Sequence, residues 1–172
     1  EVVLKTPLQL NTNLSEKYQA TIYLKREDLQ KVRSYKIRGA YNKISHLDAA
    51  QKTKGIVCAS AGNHAQGVAY SCQLLQIQGK IYMPKTTPKQ KIKQVQLFGK
   101  SFVEIVLTGD TFDDAFHAAK QYSNENQLEF IHPFDDVEVI AGQGTVGLEI
   151  LSEKVSKIDF FQHNFLICSF FL

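Results

Sequence analysis

Two scarcities limit what this chain can be. Its cysteines are only three, Cys58, Cys72 and Cys168, and no two are close in sequence. An odd set at these spacings supports neither a disulfide framework nor a tetrahedral zinc site, so we expect a reducing, cytoplasmic environment. No apolar stretch approaches the ~20 residues that cross a bilayer, and the first residues lack the basic-then-apolar pattern of a signal peptide. We therefore expect no association with a membrane.

Charge of one sign is also scarce. The 172 residues include 20 basic and 17 acidic side chains, and the net charge of +3 is too small to predict a nucleic-acid partner. Lys85, Lys89, Lys91 and Lys93 form a local basic stretch. Their spacing along a predicted helix indicates a solvated face. The five histidines show no ligand-like spacing, so no metal site is predicted. With 44% hydrophobic residues, the composition indicates a soluble globular protein of one domain, or one domain and part of another.

Strand-like and helix-like segments alternate along the chain. Strands are predicted at residues 22–25, 55–59, 79–83, 102–107 and 128–131, and helices from residue 35, at 63–76, 88–98 and 111–124, and from 143 to about 154, with one more strand from Ile158. Pro88 can open one helix and Gly99 can close it. Asp110 or Thr111 can cap the next. The alternation predicts an α/β fold of three layers, in which a parallel sheet has helices on both faces.

Lys36 lies at the predicted start of a helix, in the run SYKIRGA at residues 34–40. A lysine that forms an imine must be unprotonated part of the time, whereas a free lysine has a pKa of roughly 10.4. The positive end of the helix dipole would lower that pKa, and cover from Tyr35 and Ile37 would lower it further. A lone lysine of this kind is ordinarily a surface residue, so its interpretation depends on the second motif.

That second motif is SAGNHAQG at residues 60–67, between a predicted strand and a predicted helix. Backbone amides at such a junction face the crevice beyond the carboxyl end of the strand, where a carboxylate can bind. Gly62 permits close approach of the backbone, Ser60 adds a hydroxyl, and the Asn63 amide can donate to a phenolate or carbonyl oxygen. A helix cap needs only one of these groups, so we interpret the turn as a binding site.

Together the two motifs resemble the pyridoxal-phosphate lysine motif and the substrate-carboxylate loop of the threonine dehydratases. Further agreement lies in the segments KTPL (5–8), LKRED (24–28), LTGD (107–110), IHPF (131–134) and GQGT (142–145), and the similarity runs from about residue 1 to 161. The resemblance implies the fold shared with serine racemase and the tryptophan synthase β subunit, which has two α/β domains with the cofactor between them. It implies a smaller domain at about 40–150, with 1–35 and 155–172 as pieces of an incomplete larger domain.

The resemblance also implies roles for individual residues. Lys36 would form the Schiff base with pyridoxal 5'-phosphate, and Asn63 would hydrogen-bond the ring oxygen of the cofactor. Tyr35 stands where the family usually has Phe, and would lie against the cofactor ring. The expected substrate-binding residues are Ser60, Ala61, Gly62, Asn63 and His64, which would surround the carboxylate.

The implied reaction converts L-threonine to 2-oxobutanoate and ammonia. Lys36 would act as the general base that removes the α-proton. Ala61 stands where the related racemases have a serine that handles the proton on the opposite face, which favours elimination over racemisation. The resemblance further implies a homo-oligomeric parent enzyme and an amino-acid substrate, without deciding between a biosynthetic and a degradative role.

The family pattern breaks after Phe161. The resemblance places a glycine-rich phosphate loop within a few residues of the strand that begins at Ile158, but no glycine follows Gly147. Residues 161–172 are instead the apolar tail FQHNFLICSFFL. We therefore expect an amino-terminal portion that has been truncated, for instance by a change of reading frame, with weak or no activity and poor solubility.

Two alternatives stay open from the sequence. The first is a serine dehydratase or another β-eliminating or β-replacing pyridoxal enzyme, such as a cysteine synthase. The second is a non-catalytic α/β module that binds an anion or a partner through residues 60–64. A visible absorption band on addition of pyridoxal phosphate, lost in Lys36→Ala, would separate an enzyme from such a module.

Overall fold

The structure is a computed structural model that describes residues 2–153 and 158–160. It begins with strand β1 (Leu8–Leu10), helix α1 (Thr12–Tyr18) and strand β2 (Tyr23–Lys25), followed by a 3-10 turn (Glu27–Leu29) and helices α2 (Lys36–Ser45) and α3 (Ala49–Lys54). The remaining elements are β3 (Ile56–Ala59), α4 (Asn63–Leu75), β4 (Gly79–Met83), α5 (Lys89–Gly99), a second 3-10 turn (Lys100–Phe102), β5 (Val103–Leu107), α6 (Phe112–Asn126), β6 (Glu129–Phe130) and α7 (Val137–Ser152).

Four strands form a parallel sheet in the order β5-β4-β3-β6. The central strand β3 is buried along its whole length, and its side chains alternate between the two faces. Ile56 and Cys58 pack with residues of α2, α4 and α5, whereas Val57 and Ala59 pack with residues of α6. Helices therefore cover both faces, and the predicted three-layer α/β arrangement is confirmed. β1 and β2 form a separate antiparallel pair.

The strands that follow β3 in sequence lie on both sides of it in the sheet. From β3 the chain passes through α4 to β4 on one side, and it later returns through α6 to β6 on the other side of β3. Connections that diverge in this way leave a crevice outside the carboxyl end of the strand, which is the usual ligand position in open α/β sheets. Residues 60–63 follow β3 directly, so the fold puts the second motif at this crevice.

Helix α7 lies close against α2 because each helix has a glycine that faces the backbone of the other. A Cβ added at Gly142 would be 2.4 Å from the carbonyl oxygen of Arg38, and one added at Gly39 would be 2.7 Å from the carbonyl oxygen of Val139. Any larger side chain at either position would push the two helices apart. The position of α2, and hence of Lys36, is therefore set in part by α7.

Several predicted boundaries agree with the structure, but others were wrong. Thr111 caps α6 through a reciprocal bond with Asp114, as one of the two predicted caps. The predicted start of the last helix at residue 143 was wrong, since Asp136 caps α7 and the helix begins at Val137. α1, α3 and β1 were not predicted. Residues 158–160 form no strand, so the strand predicted from Ile158 is absent there, and the tail at 161–172 lies outside the described residues.

None of the helices within residues 2–153 combines the length and the apolar character that a membrane-spanning helix needs.

Candidate active site

Lys36 is the first residue of α2, as the sequence predicted, and its side chain is half-buried. Its Nζ donates a hydrogen bond to the carbonyl oxygen of Pro133, at 2.7 Å. The same nitrogen lies 5.4 Å from the centroid of the Tyr35 ring. Pro133 follows β6 by a few residues, so this contact brings the amine to the carboxyl edge of the sheet.

A glycine in α4 lets the two motifs approach each other. A Cβ added at Gly67 would be 3.1 Å from both the carbonyl carbon and the carbonyl oxygen of Lys36, a tighter approach than most side chains make. With glycine there, the first turns of α4 lie against the start of α2. The motif at residues 60–67 therefore includes a residue whose role is helix packing, and this packing brings Lys36 beside the turn.

The turn itself is open on one side. The Ser60 amide donates to the carbonyl oxygen of Tyr82 at 3.1 Å, and the Gly62 amide donates to the Ser60 hydroxyl at 3.2 Å. Gly62 is the N-cap of α4, and a Cβ added there would meet nothing within 4 Å. Residues 60–63 are all half-exposed. The space beside Gly62 is thus open next to the start of α4, where the first amides of a helix can bind an anion.

His64 has a different environment from the rest of the turn. Its ring is 3% exposed, and Nε2 lies 3.0 Å from the carbonyl oxygen of Ile131. Because a carbonyl only accepts, Nε2 carries the proton and donates it. Burial lowers the pKa of His64 to about 4, and the charge on Lys36 adds to this effect although the bond to Ile131 opposes it. The imidazole is therefore neutral near pH 7, and its place in the carboxylate pocket stays a prediction.

Within residues 2–153 and 158–160, the other ring nitrogen of His64, Nδ1, is buried and has no hydrogen-bond partner. An uncompensated buried acceptor is costly, so such an atom in a native fold calls for an explanation.

The remaining predicted site residues are distributed around the two helix starts. Tyr35 is 6% exposed and packs with Val146 and Ile150 of α7 and with Leu8 of β1. Asn63 is the first residue of α4. Ala61 packs partly against the core beneath the sheet. The roles assigned to these residues in binding cofactor or substrate stay predictions.

The turn at residues 131–135 was matched in sequence only as part of the family resemblance, and its contacts were missed. His132 Nδ1 accepts hydrogen bonds from the backbone amides of Asp135, at 2.7 Å, and Phe134, at 3.3 Å. Burial lowers the pKa of His132, and nearby Asp135 opposes this effect. The turn supplies the carbonyl that receives Lys36, so it belongs to the site as fully as the two motifs do.

Arg38 anchors α2 on the side away from the turn. Its guanidinium donates two bonds of 2.8 Å to the Glu27 carboxylate, and bonds of 2.7 and 3.0 Å to Glu149 of α7. Burial disfavours the charge, but the bonds to both carboxylates raise the pKa of Arg38 above its ordinary value. Lys25 reaches the same Glu149 at 2.7 Å. This network joins α2 to the amino-terminal segment and to α7.

Over the part of the chain that the structure describes, no three His, Cys, Asp or Glu side chains come together as a group that could hold a metal ion. What the site does offer is one half-buried amine, a set of helix-start amides and two neutral imidazoles.

Comparison with known proteins identifies relatives with the same combination of motifs. The chain is 57% identical over 169 residues to L-threonine dehydratase biosynthetic IlvA of Halalkalibacterium halodurans, covering 98% of this chain and 40% of that protein. It is 60% identical over 153 residues to the Bacillus subtilis protein of the same name, covering 89% of this chain and 36% of that protein. The chain therefore spans only about two fifths of the length of these curated relatives.

Solved structures agree. The processed form of threonine deaminase isoform 2 from Solanum lycopersicum matches with a TM-score of 0.81 and 48% identity, covering 87% of this chain and 43% of that one. Serine racemase from Dictyostelium discoideum matches with a TM-score of 0.79 and 34% identity, covering 91% of this chain and 50% of that one. These matches confirm the predicted resemblance to the threonine dehydratases and the tryptophan synthase β-like fold.

A family model described as "Pyridoxal-phosphate dependent enzyme" matches residues 1–165, which is nearly the whole of the 172-residue chain. The predicted cofactor class agrees with this match, and the chain belongs to the family of pyridoxal-phosphate dependent enzymes.

Proposed function

We propose that this chain supplies the reactive lysine and the carboxylate-binding turn of an enzyme that converts L-threonine to 2-oxobutanoate and ammonia with pyridoxal 5'-phosphate. One observation carries the proposal: the Lys36 amine and the amide-rich turn at residues 60–64 lie at the same edge of the sheet. Relatives named L-threonine dehydratase, at 57% and 60% identity, support the choice of substrate.

The described residues fit the cofactor. Lys36 is half-buried, so its side chain is partly desolvated and still reaches accessible space. The space beside Gly62 is open, and the buried Nδ1 of His64 is an acceptor that no described residue satisfies. When bound, pyridoxal phosphate supplies an electron sink for the electron pair released at the α-carbon of the substrate.

Lys36 has two tasks in this proposal. Its Nζ would be the group that holds the cofactor aldehyde before substrate arrives. With substrate bound, the neutral Lys36 amine would take the α-proton and become an ammonium. The Pro133 carbonyl, 2.7 Å away in this structure, is an acceptor suited to that ammonium.

The turn at 60–64 binds and orients the substrate. The substrate carboxylate lies against the first amides of α4, where the backbone donors and the positive end of the helix dipole favour an anion. Ser60 can add its hydroxyl, which now accepts from the Gly62 amide at 3.2 Å. Binding at this fixed point holds the α-proton towards Lys36, and such positioning is a large part of the rate enhancement.

Ala61 bears on the choice of reaction. Its methyl group offers no proton to the opposite face of the α-carbon, so reprotonation there is disfavoured. The β-hydroxyl instead takes up the proton that Lys36 removed from the α-carbon and leaves as water, which returns Lys36 to its neutral form. The unsaturated amine that is released then hydrolyses to 2-oxobutanoate and ammonia, which balances the overall reaction.

A chimera tests the proposal, in which residues 2–153 of this chain replace the matching segment of the Bacillus subtilis relative. That enzyme supplies the part of the fold that this chain does not span. We expect the chimera to form 2-oxobutanoate from L-threonine when pyridoxal phosphate is present, and to lose this activity with Lys36→Ala. Lys91→Ala, at an exposed position on α5, is the matched control. A folded chimera that binds the cofactor and forms no 2-oxobutanoate would overturn the threonine assignment.

The same assay decides between the alternatives. A serine dehydratase would form pyruvate from L-serine faster than 2-oxobutanoate from L-threonine. A non-catalytic module would form neither product and would bind pyridoxal phosphate no better than Lys36→Ala does. The structural match to a serine racemase makes serine the substrate to compare first.

We propose further properties of the whole enzyme. The buried free thiols of Cys58 and Cys72 support a cytoplasmic location. The names of the relatives support a biosynthetic role, in the supply of isoleucine. The division into a smaller domain at about 40–150 and pieces of a larger one at 1–35 and 155–172, and a homo-oligomeric assembly without nucleic acid, remain predictions. Size measurement of the chimera tests the assembly.

A further inference from the structure

The turn at residues 131–135 is held at both ends by histidine side chains. At its start, the Ile131 carbonyl accepts from His64 Nε2 at 3.0 Å, while the Ile131 amide donates to Val57 of β3 at 2.8 Å. At its end, the amide of Asp135 donates to His132 Nδ1 at 2.7 Å. Between these two fixed points lies Pro133, whose carbonyl oxygen accepts from Lys36 Nζ at 2.7 Å.

His132 must be neutral to do this, because its Nδ1 accepts, and His64 must carry a proton on Nε2. His64 donates through Nε2, so its Nδ1 is the bare nitrogen. His132 accepts through Nδ1, so its own proton is on Nε2. Burial lowers the pKa of each ring, which favours these forms near pH 7. Proline has no amide proton, so Pro133 contributes only its carbonyl to the turn.

We propose that His64 and His132 are positioning residues, which hold the turn so that the Pro133 carbonyl receives the Lys36 amine. This inference rests on the proposed function, since it names the residues that place the reactive lysine. Neither imidazole need touch the substrate. They fix where the amine lies when no cofactor holds it, and where it can return after it has been displaced.

Matched variants separate positioning from simple packing. Gln at position 64 keeps a donor close to the place of Nε2, whereas Leu removes it. Asn at position 132 keeps an acceptor in the place of Nδ1, whereas Leu removes it. The four variants of the 172-residue chain are therefore His64→Gln, His64→Leu, His132→Asn and His132→Leu. Circular dichroism shows which of them are folded.

The measurement is trace acetylation of the chain without cofactor, followed by peptide mass spectrometry. The rate at Lys36 is divided by the rate at Lys91, which is exposed on α5 and remote from the turn. We expect both Leu variants to raise this ratio roughly two- to tenfold, the range for one lost hydrogen bond. We expect the Gln and Asn variants to stay near the wild-type ratio.

An unchanged ratio in the folded Leu variants would overturn the inference, as would an equal change in the Leu variants and their polar partners. If His64→Leu does not fold, the comparison of His132→Leu with His132→Asn tests the inference, because His132 is half-exposed. Failure of the proposed function is recognised separately: after addition of pyridoxal phosphate and borohydride, wild-type Lys36 would then carry no label, whatever the acetylation ratios are.

Discussion

Two cations near the start of α2 have contrasting environments. Arg38 is 3% exposed and donates to the carboxylates of Glu27 and Glu149. Lys36 is half-buried and donates to the neutral carbonyl of Pro133. Two residues on a helix are separated by roughly 200° of rotation, so the side chains leave on different sides. Carboxylates hold a charge in place, whereas a carbonyl bond is weaker and permits the amine to lose its proton and move.

Arg38 and Lys36 therefore have different roles within one turn of α2. The Arg38 network anchors α2 to the amino-terminal segment and to α7, and so fixes the backbone from which Lys36 extends. The bond from Lys36 to a neutral carbonyl holds the amine less strongly than two carboxylates hold Arg38.

The largest effect is expected at Lys36. Lys36→Arg makes the two cations chemically alike, since a guanidinium stays protonated and cannot act as the base or attach the cofactor. We expect 2-oxobutanoate formation by the chimera to fall by roughly 10²–10⁴-fold or more. The assay is the rate of 2-oxobutanoate release, with Lys91→Arg as the control that keeps the wild-type rate. Retention of more than a tenth of the activity would contradict the role of Lys36.

The next effect is on folding. Arg38→Met removes the guanidinium from the buried Glu27 carboxylate and leaves Glu149 with Lys25 as its cationic partner. We expect the free energy of unfolding to fall by about 3–5 kcal/mol, as when one member of a buried pair is removed. Urea denaturation measures it. Arg26, which pairs with Asp28 on the surface at 2.8 Å, gives the matched control, and Arg26→Met should change stability little. Equal losses in the two variants would refute the contrast.

At acid pH, the titration of His64 should lower the free energy of unfolding. Its folded pKa of about 4 lies below the ordinary value of 6.5, so the unfolded chain binds the proton more readily between these values. Stability from this residue is thus complete above pH 6.5 and is lost as the pH falls towards 4, by about 3 kcal/mol in all. Urea denaturation at several pH values should show a flatter profile for His64→Gln than for wild type. The control is exposed His117→Gln, whose profile should follow wild type.

The smallest effect is expected in the packing of α7 on α2. A Cβ at Gly142 would be 2.4 Å from the Arg38 carbonyl oxygen, so Gly142→Ala should destabilise the fold by about 1–3 kcal/mol. Gly144 lies in the same helix, and a Cβ there meets nothing within 4 Å. Gly144→Ala should therefore stabilise the fold by about 0.5–1 kcal/mol, because alanine loses less entropy in a helix. The melting temperature should fall for Gly142→Ala and rise for Gly144→Ala in thermal denaturation.

Local pattern was sufficient for the sheet and for the two motifs. The strand predicted at 55–59 lies at Ile56–Ala59, because an apolar run that is buried on both faces is a strong signal. Lys36 was correctly placed at a helix start for a similar reason, since apolar residues recur at helical spacing from Tyr35. The family resemblance rested on these same segments.

Contacts between residues far apart in the chain could not be predicted from the sequence. The partners of Arg38 lie 11 and 111 residues away, and the Pro133 carbonyl is 97 residues from Lys36, so no local spacing predicts either. The first part of α7, residues 137–142, was missed, and Gly142 lowers the helix propensity there. The structure shows that Gly142 is required there by the close approach of α2, which is a tertiary demand.

The central claim is that Lys36 is the amine that captures the cofactor. Incubation of the 172-residue chain with pyridoxal phosphate, reduction with borohydride and peptide mapping tests it most directly. We predict a pyridoxyl group on Lys36 at a level well above every other lysine, and its disappearance in Lys36→Ala. Label spread over the exposed lysines, with the same total in that variant, would contradict the claim.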